Sequence, residues 1–315
     1  ISLCLVLFIV PLLCSIIGAR DCVVVTDAGH SGHDAGAIGR LSKDKNINLN
    51  DALKLGKQIQ KNCPDVKVVY TRTQDVFIPL NRRAEIANDA KADLFISIHT
   101  NALANNRTAK GASTWTLGLA KSDANLEVAK RENSVILYES DYKTRYAGFN
   151  HNSAESYIIF EFMQDKYMSQ SVHLASLVKK HFRNTCRRVD RGGHQAGFLV
   201  LKASAMPSIL VELGFISTPE EERYLNTDAG TGTLADGIFR AFLTYKREQE
   251  IRLNGSSQTI LPEDLPQPEE KTSAPADATP ETEKKETARN NQPAPPPSET
   301  ATVAQKEDKA PVVKI

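Results

Sequence analysis

The sequence predicts an α/β fold, a twisted and mostly parallel sheet flanked by helices. Three short apolar runs have the length and β-branched content of buried strands, and helix-period segments lie between them. The second run ends on His and the third on Glu, and the first leads into a turn that contains His. Alternation of strands and helices is typical of a parallel sheet with covering helices. The three runs are Val23–Val25, Leu94–His99 and Ser208–Glu212.

The first half of the chain supplies this alternation element by element. After the first strand, apolar residues recur at helical spacing and predict a helix ending at about Asn62, before Pro64. Val66–Tyr70 is predicted to be the second strand, and Pro79–Ala90 a second helix with proline in its first turn. Leu94–His99 then completes a strand–helix–strand–helix–strand unit. The apolar stripe of the first helix comprises Leu49, Ala52, Leu53, Gly56 and Ile59.

The second half is less regular. Gly111–Leu117 alternates around Trp115 and predicts a strand, and residues 120–182 look helical but interrupted. Gln195–Leu201 is predicted to be another strand beside the cleft. Two closing helices are expected after the last strand, at Pro219–Leu225 and Leu234–Lys246. A single domain over residues 20–247 accounts for all of these elements.

The two ends of the chain differ from this domain. Residues 1–19 carry no charge and end in Ile-Gly-Ala, which predicts a cleaved signal peptide with no integral membrane span afterwards. A retained membrane anchor is the alternative. Residues 248–315 are rich in Pro, Ala, Glu, Thr and Lys, which predicts a disordered linker. The apolar turn at Ala310–Ile315 raises the alternative that a further folded module begins there.

Charge and cysteine content restrict the function classes. The formal net charge of the 315 residues is +1, so nothing points to nucleic acid as a partner. Outside the leader, three cysteines remain, Cys22, Cys63 and Cys186, without metal-type spacing. Cys63 and Cys186 either pair in an oxidising compartment or stay as buried thiols.

The side chains that could bind a metal or transfer a proton lie at the strand ends. His30 follows the first strand in a turn of small residues, His99 ends the third, and Glu212 ends the last. The carboxyl ends of parallel strands share one edge of a sheet, where ligands bind in open α/β folds. Two imidazoles and a carboxylate at one edge are zinc-type groups.

These segments resemble three motifs of the zinc-dependent N-acetylmuramoyl-L-alanine amidases of bacterial cell walls. The motifs are residues 27–39 (Asp-Ala-Gly-His-Ser-Gly-His-Asp-Ala-Gly-Ala-Ile-Gly), Ser97–Ala102 and Pro207–Ser217, and the resemblance extends over roughly residues 22–247. It implies a zinc hydrolase/phosphorylase-like fold with one catalytic domain. It also implies one Zn²⁺ per catalytic domain and peptidoglycan as the substrate. Relatives of this kind sometimes carry a small peptidoglycan-binding module after the linker, so such a module is the alternative for Ala310–Ile315.

Carried over position by position, the resemblance implies that His30, Asp44 and His99 bind zinc and that Glu212 is the catalytic glutamate. Asp44 stands where the family has Glu, and because its arm is shorter, either the loop comes closer or the site binds zinc more weakly. The alternative for Asp44 is a surface residue in a charge cluster. Ser31 also stands where Gly is usual.

The expected reaction is hydrolysis of the amide between the lactyl group of muramic acid and L-alanine. Zinc with three protein ligands leaves a position for water and lowers the pKa of that water towards about 7. Glu212 is expected to take the water's proton and return one to the leaving amine. Asn101, Arg83 and His194 are weaker candidates for substrate binding, and Arg83 could equally be a structural ion-pair former.

The segment between the second and third motifs is longer than a sheet crossover needs. In some relatives an inserted helix covers the active site until a partner moves it, so residues 120–165 are predicted to form a regulatory lid. A protein activator is the expected partner of that lid. The expected location is the periplasm or cell envelope, and the expected role is wall remodelling and daughter-cell separation.

Two alternatives stay open at this point. The first keeps the zinc site but changes the substrate to another peptide amide. The second is a non-catalytic wall-binding or regulatory protein whose site has decayed at Asp44. The presence of His30, His99 and Glu212 together argues against decay.

Overall fold

The computed structural model describes residues 22–161 and 166–267. The predicted signal peptide, residues 1–19, and the linker beyond residue 267 lie outside the described residues, as do residues 162–165 of the predicted lid. In the part of the chain that is described, every helix is too short or too polar to cross a bilayer.

A six-stranded sheet organises the domain, and its strand order is β2-β1-β3-β6-β4-β5. All neighbours pair in parallel except β4 and β6, which are antiparallel. The mostly parallel sheet predicted from the sequence is therefore confirmed. The strands are β1 (Cys22–Ala28), β2 (Val66–Tyr70), β3 (Leu94–Asn101), β4 (Ala112–Leu117), β5 (Asp190–Ala196) and β6 (Ser208–Phe215).

Helices cover both faces of the sheet, and each face has its own apolar core. Helices α1, α5 and α8 pack on the face that holds Ile96, Ile98 and Val211, while α2, α3 and α6 lie over Phe95 and Leu210. Because successive strand residues point to opposite faces, one strand contributes to both cores. The helices are α1 (Asp44–Asn62), α2 (Leu80–Asp89), α3 (Asp123–Asn133), α4 (Tyr142–Arg145), α5 (Met168–Asn184), α6 (Leu199–Lys202), α7 (Pro219–Leu225) and α8 (Asp228–Asn254).

The prediction of a strand at Gln195–Leu201 is wrong in its second half. Strand β5 begins earlier, in the Gly-rich segment from Asp190, and ends at Ala196. The apolar residues that follow form the short helix α6, all of them buried. A four-residue apolar run buries equally well as a helical turn or as a strand, so its pattern alone does not separate the two.

The segment between β4 and β5 is helical but interrupted, as its sequence predicted. Helix α3 ends at Asn133 and continues as a 3₁₀-helix over Ser134–Tyr138. A second 3₁₀-helix follows at Ala154–Glu161. The regular helix of this region begins only at Met168.

The boundary between domain and linker, predicted at residue 248, is wrong. Helix α8 runs to Asn254 and ends in the left-handed Gly255. The chain then folds back along α8, where the buried guanidinium of Arg240 donates to the carbonyls of Pro262 and Pro266. Composition missed this strap, residues 255–267, because backbone carbonyls rather than apolar side chains hold most of it.

Candidate functional site

The carboxyl ends of β1, β3 and β6 bring the predicted chemical groups to one edge. His99 of β3 is paired with Glu212 of β6 in the parallel register, so both side chains point to the same face. His30 follows β1 by two residues, next to the same strand β3. The expectation that the strand ends share one edge is thus confirmed for these residues.

The ligand atoms of His30, Asp44 and His99 converge, all within 4.8 Å of one another. His30 Nε2 lies 3.3 Å from Asp44 Oδ2. Two atoms each about 2.1 Å from a tetrahedral zinc ion lie about 3.4 Å apart, so this pair needs almost no adjustment. All three residues are buried, and two imidazoles with one carboxylate are a zinc-type donor set. The residues present therefore fit a zinc ion.

Asp44 is the first residue of α1 and is 1% exposed, so the alternative of a surface residue in a charge cluster is wrong. Its Oδ1 accepts hydrogen bonds from the side chain of Asn48 and from the backbone N–H of Thr100. These bonds leave Oδ2 to face His30. The shorter arm of aspartate is accommodated because the helix itself begins at the site.

Two glycines let the backbone approach the cluster. A Cβ on Gly29 would lie 2.4 Å from Nε2 of His99, and one on Gly36 would lie 2.7 Å from Oδ2 of Asp44. Gly36 also has φ of +63°, a conformation that L side chains rarely adopt. The small-residue turn seen in the sequence is thus a packing requirement of the ligands.

Asp34 holds the second nitrogen of His30. The Nδ1–H of His30 donates to Asp34 Oδ2 over 2.8 Å, which leaves Nε2 directed at Asp44. A carboxylate behind a ligating histidine fixes the tautomer and the ring orientation. Sequence reasoning missed Asp34, because its spacing from His30 has no structural meaning until the loop is folded.

Helix α3 places a further carboxylate into the cluster, and the sequence did not identify it. Glu132 Oε2 lies 2.9 Å from His30 Nε2 and 2.9 Å from His99 Nδ1. The neighbouring Arg131 contacts Glu132 Oε1 over 2.7 Å and donates to the carbonyl of Ala102. Helical periodicity could place α3 but could not reveal which of its residues reaches the sheet edge.

The catalytic candidate Glu212 lies beside this group. It is 1% exposed, and its Oε2 has no hydrogen-bond partner among the described residues, while Oε1 lies 3.5 Å from Arg131 Nη2. Burial raises the pKa of Glu212 well above its usual value, and the charge of Glu132 adds to the effect. A carboxyl group that is easily protonated suits proton transfer.

The pKa values of His30 and Glu132, two neighbours of Glu212, are shifted in opposite directions. Burial opposes charge on His30, but Asp44, Asp34 and Glu132 together raise the pKa of its imidazole well above the usual value. Burial likewise opposes charge on Glu132, but Arg131 and His99 hold the pKa of that carboxyl well below its usual range. The site is therefore a buried network of alternating charges.

The three weaker candidates for substrate binding lie in different surroundings. Arg83 is buried and pairs with Asp27 over 2.8 Å, the contact expected of a structural ion-pair former. Asn101 ends β3 with its Oδ1 buried and without a hydrogen-bond partner in the described part of the chain. His194 lies in β5, two strands away from Glu212, and its ring is tilted by 40° against that of Trp115, with the ring centroids 4.6 Å apart. Their roles in substrate binding stay predictions.

Ser31 also has a structural part. Its hydroxyl accepts hydrogen bonds from Arg83 Nη2 and from the backbone N–H of Ile78, each over 3.0 Å. The serine that replaces the usual glycine thus ties the turn after β1 to the start of α2.

Comparison with known proteins agrees with this geometry. Residues 24–244 match the Amidase_3 family, N-acetylmuramoyl-L-alanine amidase. The chain is 35% identical over 226 residues to the N-acetylmuramoyl-L-alanine amidase AmiA of Escherichia coli K12, covering 71% of this chain and 75% of that protein. It is 34% identical over 229 residues to AmiC of Escherichia coli CFT073, covering 72% of this chain and 53% of that protein.

The fold also has solved counterparts. A crystal structure of an N-acetylmuramoyl-L-alanine amidase from Clostridium difficile 630 superposes with a TM-score of 0.55 at 30% identity. The superposition covers 72% of this chain and 98% of that one. Family match, relatives and architecture all coincide with the segment that carries the site. The chain therefore belongs to the N-acetylmuramoyl-L-alanine amidase family and is a hydrolase.

Proposed function

We propose that the protein is a zinc-dependent amidase that cleaves the bond between the lactyl group of muramic acid and L-alanine in peptidoglycan. One observation carries the proposal: His30, Asp44 and His99 bring their ligand atoms together beside the buried carboxyl of Glu212. Names of the related enzymes support the same bond. The cellular role we infer is wall remodelling and daughter-cell separation in the periplasm or cell envelope.

The chain's own residues have separable parts in this reaction. When bound to His30, Asp44 and His99, zinc supplies a Lewis acid that lowers the pKa of water towards about 7. Glu212 takes a proton from the attacking water and returns one to the leaving L-alanine amine. Its raised pKa, caused first by burial, favours the second transfer, in which it acts as an acid.

Two variants test the assignment. Elemental analysis of the purified protein should find one zinc per chain, and Asp44→Ala should lose it. Glu212→Gln should keep zinc and the fold but lose amide cleavage, because the proton acceptor is gone. Turnover by Glu212→Gln would contradict the mechanism, and a wild-type protein that binds zinc but digests no wall or peptide amide would favour the decayed relic.

The scissile bond is tested by digesting purified peptidoglycan and analysing the released stems by mass spectrometry. Free L-alanine amino termini are expected. Cuts elsewhere in the stem would favour the alternative, a zinc hydrolase of another peptide amide.

We further infer that residues 120–165 act as a lid. Glu132 supports this, because its carboxylate contacts both histidines where a substrate carbonyl would have to approach. Arg131 on the same helix stands between Glu132 and Glu212. The segment also exposes apolar side chains, which suits a protein activator that binds it and draws α3 away: Leu137, Tyr138, Ile158 and Ile159.

Replacing Glu132 by Ala should raise basal hydrolysis of peptidoglycan, by about 5–150-fold if the closed state is favoured by about 1–3 kcal/mol. Glu127→Ala is the matched control, since Glu127 is an exposed residue of the same helix that pairs with Lys130. Equal basal rates in the two variants would count against the lid. So would a deletion of the segment that leaves basal activity and activator response unchanged.

A further inference from the structure

The short side chain of Asp44 raises the question of what holds its backbone at the metal cluster. The N-cap of α1 is Lys43, whose side chain makes no capping hydrogen bond. The N–H of Asp44 instead donates to the carbonyl of Ala37 over 2.9 Å. The start of α1 is thus positioned by the preceding segment and not by its own cap.

That segment is a small hairpin, residues 37–43, between the two ligands His30 and Asp44. Ile38 and Lys43 form an antiparallel bridge, and the N–H of Gly39 donates to the carbonyl of Ser42. Its two large apolar side chains do not anchor its tip, because Ile38 is 61% and Leu41 68% exposed, and only Ala37 at its start packs against the core. Some other contact must fix the hairpin.

Glu222 of α7 makes that contact. Its carboxylate accepts the backbone N–H groups of Arg40, Leu41 and Ser42 over 3.0, 2.6 and 3.0 Å. The hydroxyl of Ser42 donates to the same group over 3.3 Å. Glu222 is 1% exposed. Among the described residues, its carboxylate is hydrogen-bonded only by the three hairpin amides and the Ser42 hydroxyl, and no cationic side chain pairs with it.

We propose that Glu222 is a positioning residue for the metal ligand Asp44. Helix α7 follows β6 directly, so Glu222 is carried by the same unit as Glu212. Through three amides it clamps the hairpin, and the hairpin sets the first turn of α1, where Asp44 lies. The clamp therefore links the ligand Asp44 to β6, the strand that supplies Glu212. This inference rests on the proposed zinc site.

The physical reason lies in the aspartate arm. A glutamate at position 44 could reach the cluster from a range of backbone positions, because it has one more rotatable bond. Aspartate reaches it only if the backbone is held, and Gly36 leaves no free space beside Oδ2. A clamp on the hairpin keeps that backbone in place.

The test is the zinc affinity of Glu222→Gln, measured by competition with a chelator. An amide keeps one accepting oxygen but turns an NH₂ towards the hairpin, so at least one N–H loses its partner. We expect affinity to fall by about 10–100-fold, as for other residues that support metal ligands. Adding Asp44→Glu to Glu222→Gln should restore part of the affinity, which a merely structural defect would not allow.

Glu221→Gln is the matched control. Glu221 is the preceding residue of α7, is also buried, and binds Arg188 and the N–H of Gly111 instead of the hairpin. This variant should lose stability but keep wild-type zinc affinity. If Glu222→Gln does not fold, Glu222→Asp, which retracts the carboxylate by one methylene, should give a smaller loss of affinity.

The outcomes are distinct. Wild-type zinc binding with unchanged affinity in the folded Glu222 variant would overturn the positioning role and leave the zinc site intact. Equal losses in the Glu221 and Glu222 variants would overturn it as well, since the effect would be general. A wild-type protein without zinc affinity would overturn the proposed function itself, and this inference with it.

Discussion

At the scale of single residues, the domain buries many charged groups and pairs nearly all of them. Asp27 is fully buried and is met by Arg83 and by the hydroxyls of Thr71 and Ser97. These contacts lower the pKa of Asp27 although burial opposes its charge. Paired buried charges are costly to break, because the remaining partner is left uncompensated.

Replacing Arg83 tests the cost of breaking such a pair. The same variant separates a structural role of Arg83 from a role in substrate binding. Arg83→Ala should lower the free energy of unfolding by about 3–5 kcal/mol, because it strands the buried carboxylate of Asp27. Arg82→Ala is the control, since Arg82 lies on the exposed side of the same helix and should change stability by less than about 0.5 kcal/mol. Denaturant titration gives both values, and a loss of activity in Arg83→Ala without a loss of stability would favour substrate binding.

Asp51 is the exception to the pairing rule. It is buried in α1, and neither carboxylate oxygen has a hydrogen-bond partner in the described structure. Burial raises the pKa of Asp51 well above its usual value. The folded state therefore keeps a proton that the unfolded chain releases above about pH 3.9, so this residue costs stability as the pH rises.

Replacing Asp51 by Asn should therefore stabilise the protein at neutral pH, by about 1–3 kcal/mol. The gain should shrink towards zero as the pH falls to about 4, because the unfolded chain then holds the proton as well. Urea titrations of both proteins at several pH values measure the difference. A gain that does not vary with pH would show that the charge of Asp51 is not the cause.

At the scale of elements, the strap of residues 255–267 extends the domain beyond its last helix. Arg240 donates to two carbonyls of the strap and pairs with Asp236 on its own helix over 2.6 Å. Lys246 donates to the hydroxyl of Thr259 over 2.7 Å, and Leu265 packs against the core. Arg247 donates to the carbonyl of Thr259 over 3.0 Å, and Glu250 accepts from the Thr259 hydroxyl over 2.8 Å, so polar side chains of α8 hold most of the strap.

Arg240→Ala should release the strap, because the carbonyls of Pro262 and Pro266 and the carboxylate of Asp236 lose their partner. Limited proteolysis should then cut within residues 255–267 earlier than in wild type, and stability should fall by about 2–4 kcal/mol. Arg252→Ala, near the exposed end of the same helix, is the control and should leave the cleavage pattern unchanged. Unaltered proteolysis of the Arg240 variant would mean that apolar contacts hold the strap.

At the scale of the whole molecule, two apolar cores on opposite faces share the strands between them. Cys63 after α1 and Cys186 after α5 both lie in the core that α8 covers. Both are free thiols, which agrees with the unpaired alternative for these residues. Burial raises the pKa of Cys63 to about 11 and that of Cys186 to about 12, so we expect little reactive thiolate at either position in the folded state.

These thiols should report global unfolding. Alkylation at about pH 8 followed by peptide mapping should leave Cys63 and Cys186 unlabelled in the native protein. Both should become labelled in the same denaturant transition as the loss of far-UV circular dichroism, because shared strands make the cores unfold together. Labelling of either thiol well before that transition would indicate that the core under α8 opens before the rest of the domain unfolds.

Much of the fold and part of the site could be predicted from sequence. Strands such as Leu94–Asn101 and helices such as α2 could be predicted from the spacing of their apolar residues and from their composition, which are local properties. The Gly-rich strand β5 and the strap carry no such pattern, because hydrogen bonds to distant partners stabilise them. Local pattern therefore failed where long-range backbone contacts decide the structure.

The family resemblance pointed to Asp44, while the amino-acid sequence by itself determined the α/β class and the shared strand edge with His30, His99 and Glu212. It could do so because strand periodicity and strand ends are encoded by neighbouring residues. Only the tertiary structure decided that Asp44 begins a helix and that Asp34 and Glu132 meet His30. The same holds for Glu222, which reaches the hairpin from 180 residues away. Those contacts join residues distant in sequence, and they exist only once the chain has folded.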